Sequence, residues 1–346
     1  MDQHASTIEN AIKGSLNIIE QDREREIISR RFGLSGQKET LEQIGELLNI
    51  TRERVRQLEK AILVRLRIGA EEGNIADLAA AEKLIIRNLT ELGRVARTSD
   101  LAKRIFGKDA TAADRAKLTF LASISKNLTA IDENDLYYAA IGIAEYGDVK
   151  TVHARVDEIV SVIKQNKEPM TVEQLDAALD YEHPDHIKAV ASISKLLATL
   201  NGLWGLAKWP TVNPRNIRDK IFVVLETRKE PMHFSDIADA ISKSDFRRKN
   251  VTIQAIHNEL IKDSRFVLIG RGIYALSSWG YRKGTVADII TDVLKEAGEP
   301  LTREEVVKRV LRARKVKETT VLLNLQNKQL FDIVDKDSYT LAASNK

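Results

Sequence analysis

The chain has 346 residues and a formal charge of only +4, from 54 basic against 50 acidic side chains, so any recognition of a charged partner must rest on local clustering. With 0 cysteines a disulfide framework and cysteine-type zinc sites are excluded. No apolar run approaches the ~20 residues of a membrane span, and the first residues lack a basic, then apolar leader; the expectation is a cytoplasmic protein with no membrane partner.

A composition of 43% hydrophobic, 30% charged and 5% aromatic residues with 6 prolines suits several mainly helical domains. Residues 5–21 carry Ile8, Ile12, Leu16 and Ile19 at helical spacing, an amphipathic lead-in expected to fold onto the helices that follow rather than onto a second copy. Three shorter helices come next. One holds Ile27, Ile28 and Phe32 and breaks at Gly33. The next opens on TLEQ at 40–43, a capping-box spelling, and ends at Asn49. The last starts at the hydroxyl cap Thr51 and runs to about Arg67.

In that last helix Val55, Leu58, Ile62 and Leu66 form one apolar stripe, which turns Arg52, Glu53, Arg56, Gln57 and Lys60 to the opposite side. Between Thr51 and Arg67 stand six Arg or Lys against two Glu. A helix fits the DNA major groove, where Arg pairs with guanine, Gln with adenine and Glu accepts from cytosine. A solvated surface helix would more often carry balanced Lys/Glu pairs.

Beyond a Gly- and Ala-rich stretch at 68–80 the sequence repeats. EPMT at 168–171, EPMH at 230–233 and EPLT at 299–302 mark a shared corner, where proline stops one helix and the next begins; GRVA at 93–96 holds that place in a more diverged unit. Each unit ends in alternating apolar residues around a turn, read as hairpins at 128–140, 201–206, 264–276 and 329–341. Three helices and a hairpin make a winged helix. The predicted fold is mainly α: an N-terminal helix-turn-helix over 1–70, then about four tandem winged-helix modules at 77–147, 153–212, 213–283 and 284–343, five beads on a string. Phe266, Tyr274, Phe331, Tyr339, Trp204 and Trp209 are expected to plug the wing cores.

The segments DREREIISRRFGL at 22–34, TLEQIG at 40–45 and ITRERVRQLE at 50–59 resemble region 4 of the primary sigma factors over about 50 residues. The resemblance implies a reader of duplex DNA at a −35-like promoter element. It implies base contacts by Arg52, Glu53, Gln57 and Arg56, and phosphate contacts by Arg23, Thr40, Leu41 and Lys60. It also implies RNA polymerase core as a partner. The chain departs from the family at Ala61 and Val64, where basic residues are usual.

The stretch 213–283, with RDKIF at 218–222, PMHFSDIA at 231–238 and RFVLIGRGIYAL at 265–276, resembles the HARE-type winged helix found in the RNA polymerase delta subunit, and 284–341 resembles a weaker copy. Arg247, Arg248 and Lys249 before its third helix and Arg271 in its wing turn form either a phosphate-gripping edge or a solvated loop. His183 and His186 flank a proline in an acidic turn, which disfavours a metal site. GRG at 270–272 is a hairpin turn rather than a phosphate loop. No cofactor, metal or catalytic grouping is expected, so the chain is read as a non-enzyme. Three functions remain open: a promoter-reading regulator, a delta-like polymerase subunit, or an architectural protein that binds DNA without sequence preference.

Overall fold

A computed structural model describes residues 2–179, 181, 183–246, 250–314, 316–335 and 337–342. The protein is mainly α and divides into two compact units, Met1–Lys208 and Trp209–Lys346. No helix among the described residues is long and apolar enough to cross a membrane.

The first unit opens with α1 (Asp2–Asn17), followed by α2 (Asp22–Phe32), α3 (Leu41–Leu48) and α4 (Arg52–Glu71). Asp22 and Glu24 at the start of α2 and Arg30 and Arg31 at its end complement the helix dipole, and Gly33 closes it in the left-handed region. The helix α4 runs a turn beyond the predicted Arg67, and Gly69 in that added turn is buried close to Ile18. The lead-in helix is Asp2–Asn17 rather than 5–21, and Ile19 is buried beyond its end.

Next come α5 (Leu78–Leu92), β1 (Val95–Arg97), α6 (Thr98–Phe106), α7 (Ala112–Ile124) and the hairpin β2 (Leu128–Ile131) and β3 (Ala140–Ile143). The same order follows in α8 (Val149–Asn166), α9 (Val172–Leu179), α10 (Pro184–Ile193), β4 (Leu197–Leu200) and β5 (Leu203–Leu206). The corner predicted only as a helix break also adds an edge to each hairpin. The strand β1 pairs with β3, and Met170 exchanges two backbone bonds of 2.9 and 2.7 Å with Trp204. Strands of two or three residues carry no alternation by which sequence could reveal them.

These modules are not beads. One continuous core joins Ile8 and Ile12 of α1, Ile28 of α2, Ile62 and Leu66 of α4, Ile85 of α5 and Leu118, Phe120 and Leu121 of α7. The rings of Phe32 and Phe120 meet edge to face at 5.1 Å, and Arg67 Nε donates to the Ser123 carbonyl at 2.8 Å. The expected docking of α1 onto the helix-turn-helix is thus corrected: α1 packs chiefly on α5 and α7, with an ion pair between Glu9 and Lys117. Its stripe finds the larger apolar surface of the winged module.

The first two winged modules are also stitched together. The predicted hairpin forms with its second strand starting at Ala140 rather than at Tyr137; Tyr137 instead bridges to Ser194, Tyr138 N donates to Ile193 O at 2.9 Å and Lys195 N to Leu136 O at 2.8 Å. Gly93, left-handed at φ 96°, lies so close to α10 that a Cβ would stand 2.5 Å from the Asp185 carbonyl.

The second unit holds α11 (Ile217–Arg228), β6 (Met232–His233), α12 (Phe234–Lys243), α13 (Ile253–Lys262), β7 (Phe266–Gly270) and β8 (Ile273–Leu276). It continues with α14 (Val286–Ala297), β9 (Leu301–Thr302), α15 (Arg303–Ala313), α16 (Glu318–Leu325), β10 (Phe331–Asp335) and β11 (Ser338–Leu341). Both wings are three-stranded, in the orders β6-β8-β7 and β10-β11-β9. Phe266, Tyr274, Phe331 and Trp204 are buried as wing plugs, whereas Tyr339 and Trp209 are only half-buried.

Candidate nucleic-acid interface

The three helices α2, α3 and α4 close on a small core of Ile27, Ile44 and Val55, with Leu41, Leu48, Ile50 and Leu58 packed around it. Leu58 is the half-buried member of the predicted stripe, while Val55, Ile62 and Leu66 are fully enclosed. Thr40 and Gln43 form the predicted capping box at the start of α3, with Thr40 N–H donating to Gln43 Oε1 at 2.8 Å. Asn49 ends α3 in the left-handed conformation, and Thr51 Oγ1 accepts from Arg54 N at 3.2 Å to start α4. Gly45 permits this tight turn: a Cβ there would stand 2.7 Å from the Ile50 carbonyl oxygen. Arg31 on α2 pairs with Glu59 on α4 at 3.1 Å, and Arg65 pairs with Glu24.

This frame turns Arg52, Glu53, Arg56, Gln57 and Lys60 to solvent along one side of α4, all of them exposed. Arg56 donates to Glu53 through Nε at 2.8 Å and Nη2 at 2.7 Å, a two-pronged pair. Gln57 Nε2 reaches the same carboxylate at 3.3 Å, and Arg54 Nη1 contacts Gln57 Oε1 at 3.5 Å. The Arg56 hydrogen bonds hold the Glu53 carboxyl down to about 2, so it is ionised throughout the neutral range. With Glu59 turned to Arg31 and Glu53 held by Arg56, both acids of the first three turns of this helix are engaged by arginines, and Arg52, Arg54 and Lys60 add positive charge to that stretch.

The predicted phosphate contacts are placed less uniformly. Arg23 is exposed and donates through Nη2 to the Leu48 carbonyl at 2.6 Å, which ties α2 to the end of α3 and leaves the other guanidinium donors outward. Thr40 is exposed and Leu41 half-buried at the start of α3, whose opening N–H groups make a natural anion cradle. Lys60 is exposed, while Ala61, Val64 and Ile68 form an exposed apolar flank on the trailing half of α4. Arg54 was not among the predicted readers; its position in RER at 52–54 was the available signal.

Arg271 is exposed in the β7–β8 turn of the second unit, and Arg247, Arg248 and Lys249 lie outside the described residues. A groove of about 450 Å³ between the helix-turn-helix and the first wing mixes Arg31, Lys38 and Arg67 with Glu59, Asp132 and Asp148, a balance that gives a phosphate no preference for it. Among the described residues no group of acidic, His or Cys side chains is arranged to hold a metal; His183 instead caps α10, its Nδ1 accepting from Asp185 N at 3.2 Å.

Residues 21–67 match the sigma-70 region 4 family, and residues 216–279 match the HARE-HTH family, a helix-turn-helix domain whose description names ASXL and restriction endonuclease among its holders. The chain is 52% identical over 46 residues to RNA polymerase sigma factor SigA1 of Synechococcus elongatus, a match covering 13% of this chain and 12% of that protein. It is 50% identical over 46 residues to SigA of a Nostoc species, covering 13% and 12%. With the chloroplastic sigma factor sigF of Arabidopsis thaliana it shares 44% over 59 residues, covering 17% and 11%. The chain thus spans about a tenth of the length of the curated relatives it matches.

Proposed function

We propose that this protein is a DNA-binding transcription regulator that places α4 in the major groove of a −35-like promoter element and works beside RNA polymerase core, by binding rather than catalysis. The observation that carries this reading is the outward face of α4, where Arg52, Glu53, Arg56 and Gln57 stand exposed in the first two turns of a capped helix, the part of a recognition helix that meets base edges. The Glu53–Arg56–Gln57 cluster holds these side chains close to one another before DNA arrives, which lowers the entropy lost on docking. A cytoplasmic location on the nucleoid goes with that role.

The winged modules of the first unit favour α4 as its reader. In a winged helix the third helix is the usual groove-binding element. Here α7 buries Leu118, Phe120, Leu121, Ala122 and Ile124, and α10 buries His186, Ile187, Ala189, Val190, Ala191 and Ile193. Both serve as packing surface: α7 against α1 and α4, and α10 against β1 and α5.

Selection of bound fragments from a random duplex pool, with and without core polymerase, tests the proposal. Enrichment of one −35-like motif by the full chain, lost in Gln57→Ala, is the expected result. Equal loss of affinity for selected and random duplex in that variant would overturn base reading.

A further inference from the structure

The winged modules repeat one fold, so a side chain that only the fold requires should recur in each copy. Charge on their second helices does not recur. Residues 306–317, VVKRVLRARKVK, carry six Arg or Lys and no Asp or Glu; Lys315 among them lies outside the described residues. No separate stretch of twelve residues in the chain exceeds a net of +3. The buried Val306 and Val310 of α15 match the buried Ile237 and Ile241 of α12. In that register Asp239 and Ala240 stand at the places of Lys308 and Arg309, and α9, starting from the same corner, has Ala177 and Ala178 there. In α6 Lys103 and Arg104 fill them, each paired with an acid, Asp100 and Glu91. Basic residues near a helix end offset the helix dipole, yet α9 has none in its last turn. The charge on α15 thus exceeds what the module needs to fold.

It gathers at a cleft of about 260 Å³ lined by Arg282, Arg309 and Arg312, with Glu296 the acid among them. Arg282 N donates to the Ala313 carbonyl at 3.3 Å, which brings the loop before α14 against the end of α15. The Arg282 guanidinium pairs with Glu296 at 2.8 Å. Arg309 Nε donates to Glu305 at 2.8 Å, which leaves its Nη groups for another acceptor. Arg312 is exposed and, among the described residues, makes no ion pair.

We propose that this cleft and the adjoining end of α15 grip the phosphates of duplex DNA without regard to sequence, a contact additional to that of α4. The choice of duplex DNA as the polymer rests on the DNA-binding reading above; the anion site itself does not. Three guanidinium groups against one carboxylate suit a phosphate, which Arg can hold through paired donors. A protein partner is disfavoured, because docking cores are rich in aromatic side chains and poor in Lys. The exposed side chains at this end of α15 are Lys308, Leu311 and Arg312. The parts of a winged helix that usually read a groove are unsuited here: α16 contains no Arg or Lys, and the β10–β11 wing exposes Asp332 and Asp335. The contact is therefore with the backbone, which fixes position and carries no base preference.

The test titrates the full-length chain with random duplex and with pool-selected duplex over a range of salt concentrations. Arg309→Gln combined with Arg312→Gln should weaken both by one common factor, about tenfold or more, and flatten the log-log salt slope by about 2, one for each lost phosphate contact. Lys308→Gln with Arg312→Gln, which keeps the Arg309–Glu305 pair, gives the same readout should the first variant fold poorly. Lys328→Gln, an exposed change elsewhere in the module, should leave affinity and slope unchanged. An unchanged slope in both double variants, an equal effect of Lys328→Gln, or loss confined to the selected duplex would overturn the proposal. Tighter binding of single-stranded RNA than of duplex, lost in the variants, would assign the cleft to RNA. Loss of polyglutamate binding with duplex binding intact would assign it to an acidic protein. Arginine side-chain signals shifted by inorganic phosphate but not by duplex would assign it to a free anion; each of these results overturns it as well. Should Gln57→Ala leave discrimination unchanged, base reading by α4 fails while the salt slope still decides this site.

Discussion

Replacing Phe120 by Ala should unlock the helix-turn-helix and the first winged module together. The ring is fully buried and meets Phe32 edge to face at 5.1 Å, in the core that also encloses Ile28, Ile62 and Leu66. Truncating a buried Phe costs about 3–5 kcal/mol. Full burial places this site toward the upper end. Of that, about 0.5–1.5 kcal/mol belongs to the aromatic pair and should appear as the coupling energy in a cycle with Phe32→Leu. Hydrogen exchange read by mass spectrometry is the assay. If one core serves both elements, amides of α4 and of α5 to α7 should lose protection by a common factor of roughly two to nearly four orders of magnitude. Unchanged protection in α4 with loss confined to α5 to α7 would refute the shared core and restore the beads-on-a-string picture.

Further outcomes are expected at the reader itself. Arg52→Ala and Gln57→Ala should each relax discrimination at one base position by about 1–3 kcal/mol in competition binding. Arg23→Ala should weaken all duplexes alike and flatten the log-log salt slope by about 1, measured by titration at several salt concentrations. The carboxyl of Glu53, brought down to about 2 from its ordinary 4.5, adds stability that is complete above 4.5 and fades as pH falls from there through 2. Carbon-detected titration should place its midpoint near 2, and Arg56→Ala should return it toward 4.5. Gly45→Ala forces a Cβ to 2.7 Å from the Ile50 carbonyl, and the resulting strain of about 1–3 kcal/mol should exceed the roughly 1 kcal/mol of helix propensity gained. Denaturant unfolding would show it as a net loss.

The site was more legible in the sequence than its setting. Thr40, Gln43 and Thr51 declare their caps through local chemistry, and the spacing of Val55, Ile62 and Leu66 fixes which side of α4 faces outward. The hydrogen bonds from Arg56 and Gln57 to Glu53 follow from three- and four-residue helical spacing. What local pattern could not supply was contact between segments far apart in the chain. Phe32 beside Phe120, Arg67 bonded to Ser123 and Tyr137 bridged to Ser194 depend on tertiary packing, which leaves no periodic trace in either partner. The corner strands escaped notice for another reason, being too short to show alternation.

The enclosure of α7 and α10 also bears on how this chain can change. A residue on a groove-reading helix is held by the base it must meet, whereas Phe120 or Val190 is held by the volume it must fill. Substitutions along these two helices should therefore be filtered by size and polarity, with target sequence a matter of indifference. Base-reading side chains grafted onto their enclosed positions would meet the protein's own core and find no DNA there. On the proposed function, a shift in preferred promoter within this unit would instead be written on the outward face of α4.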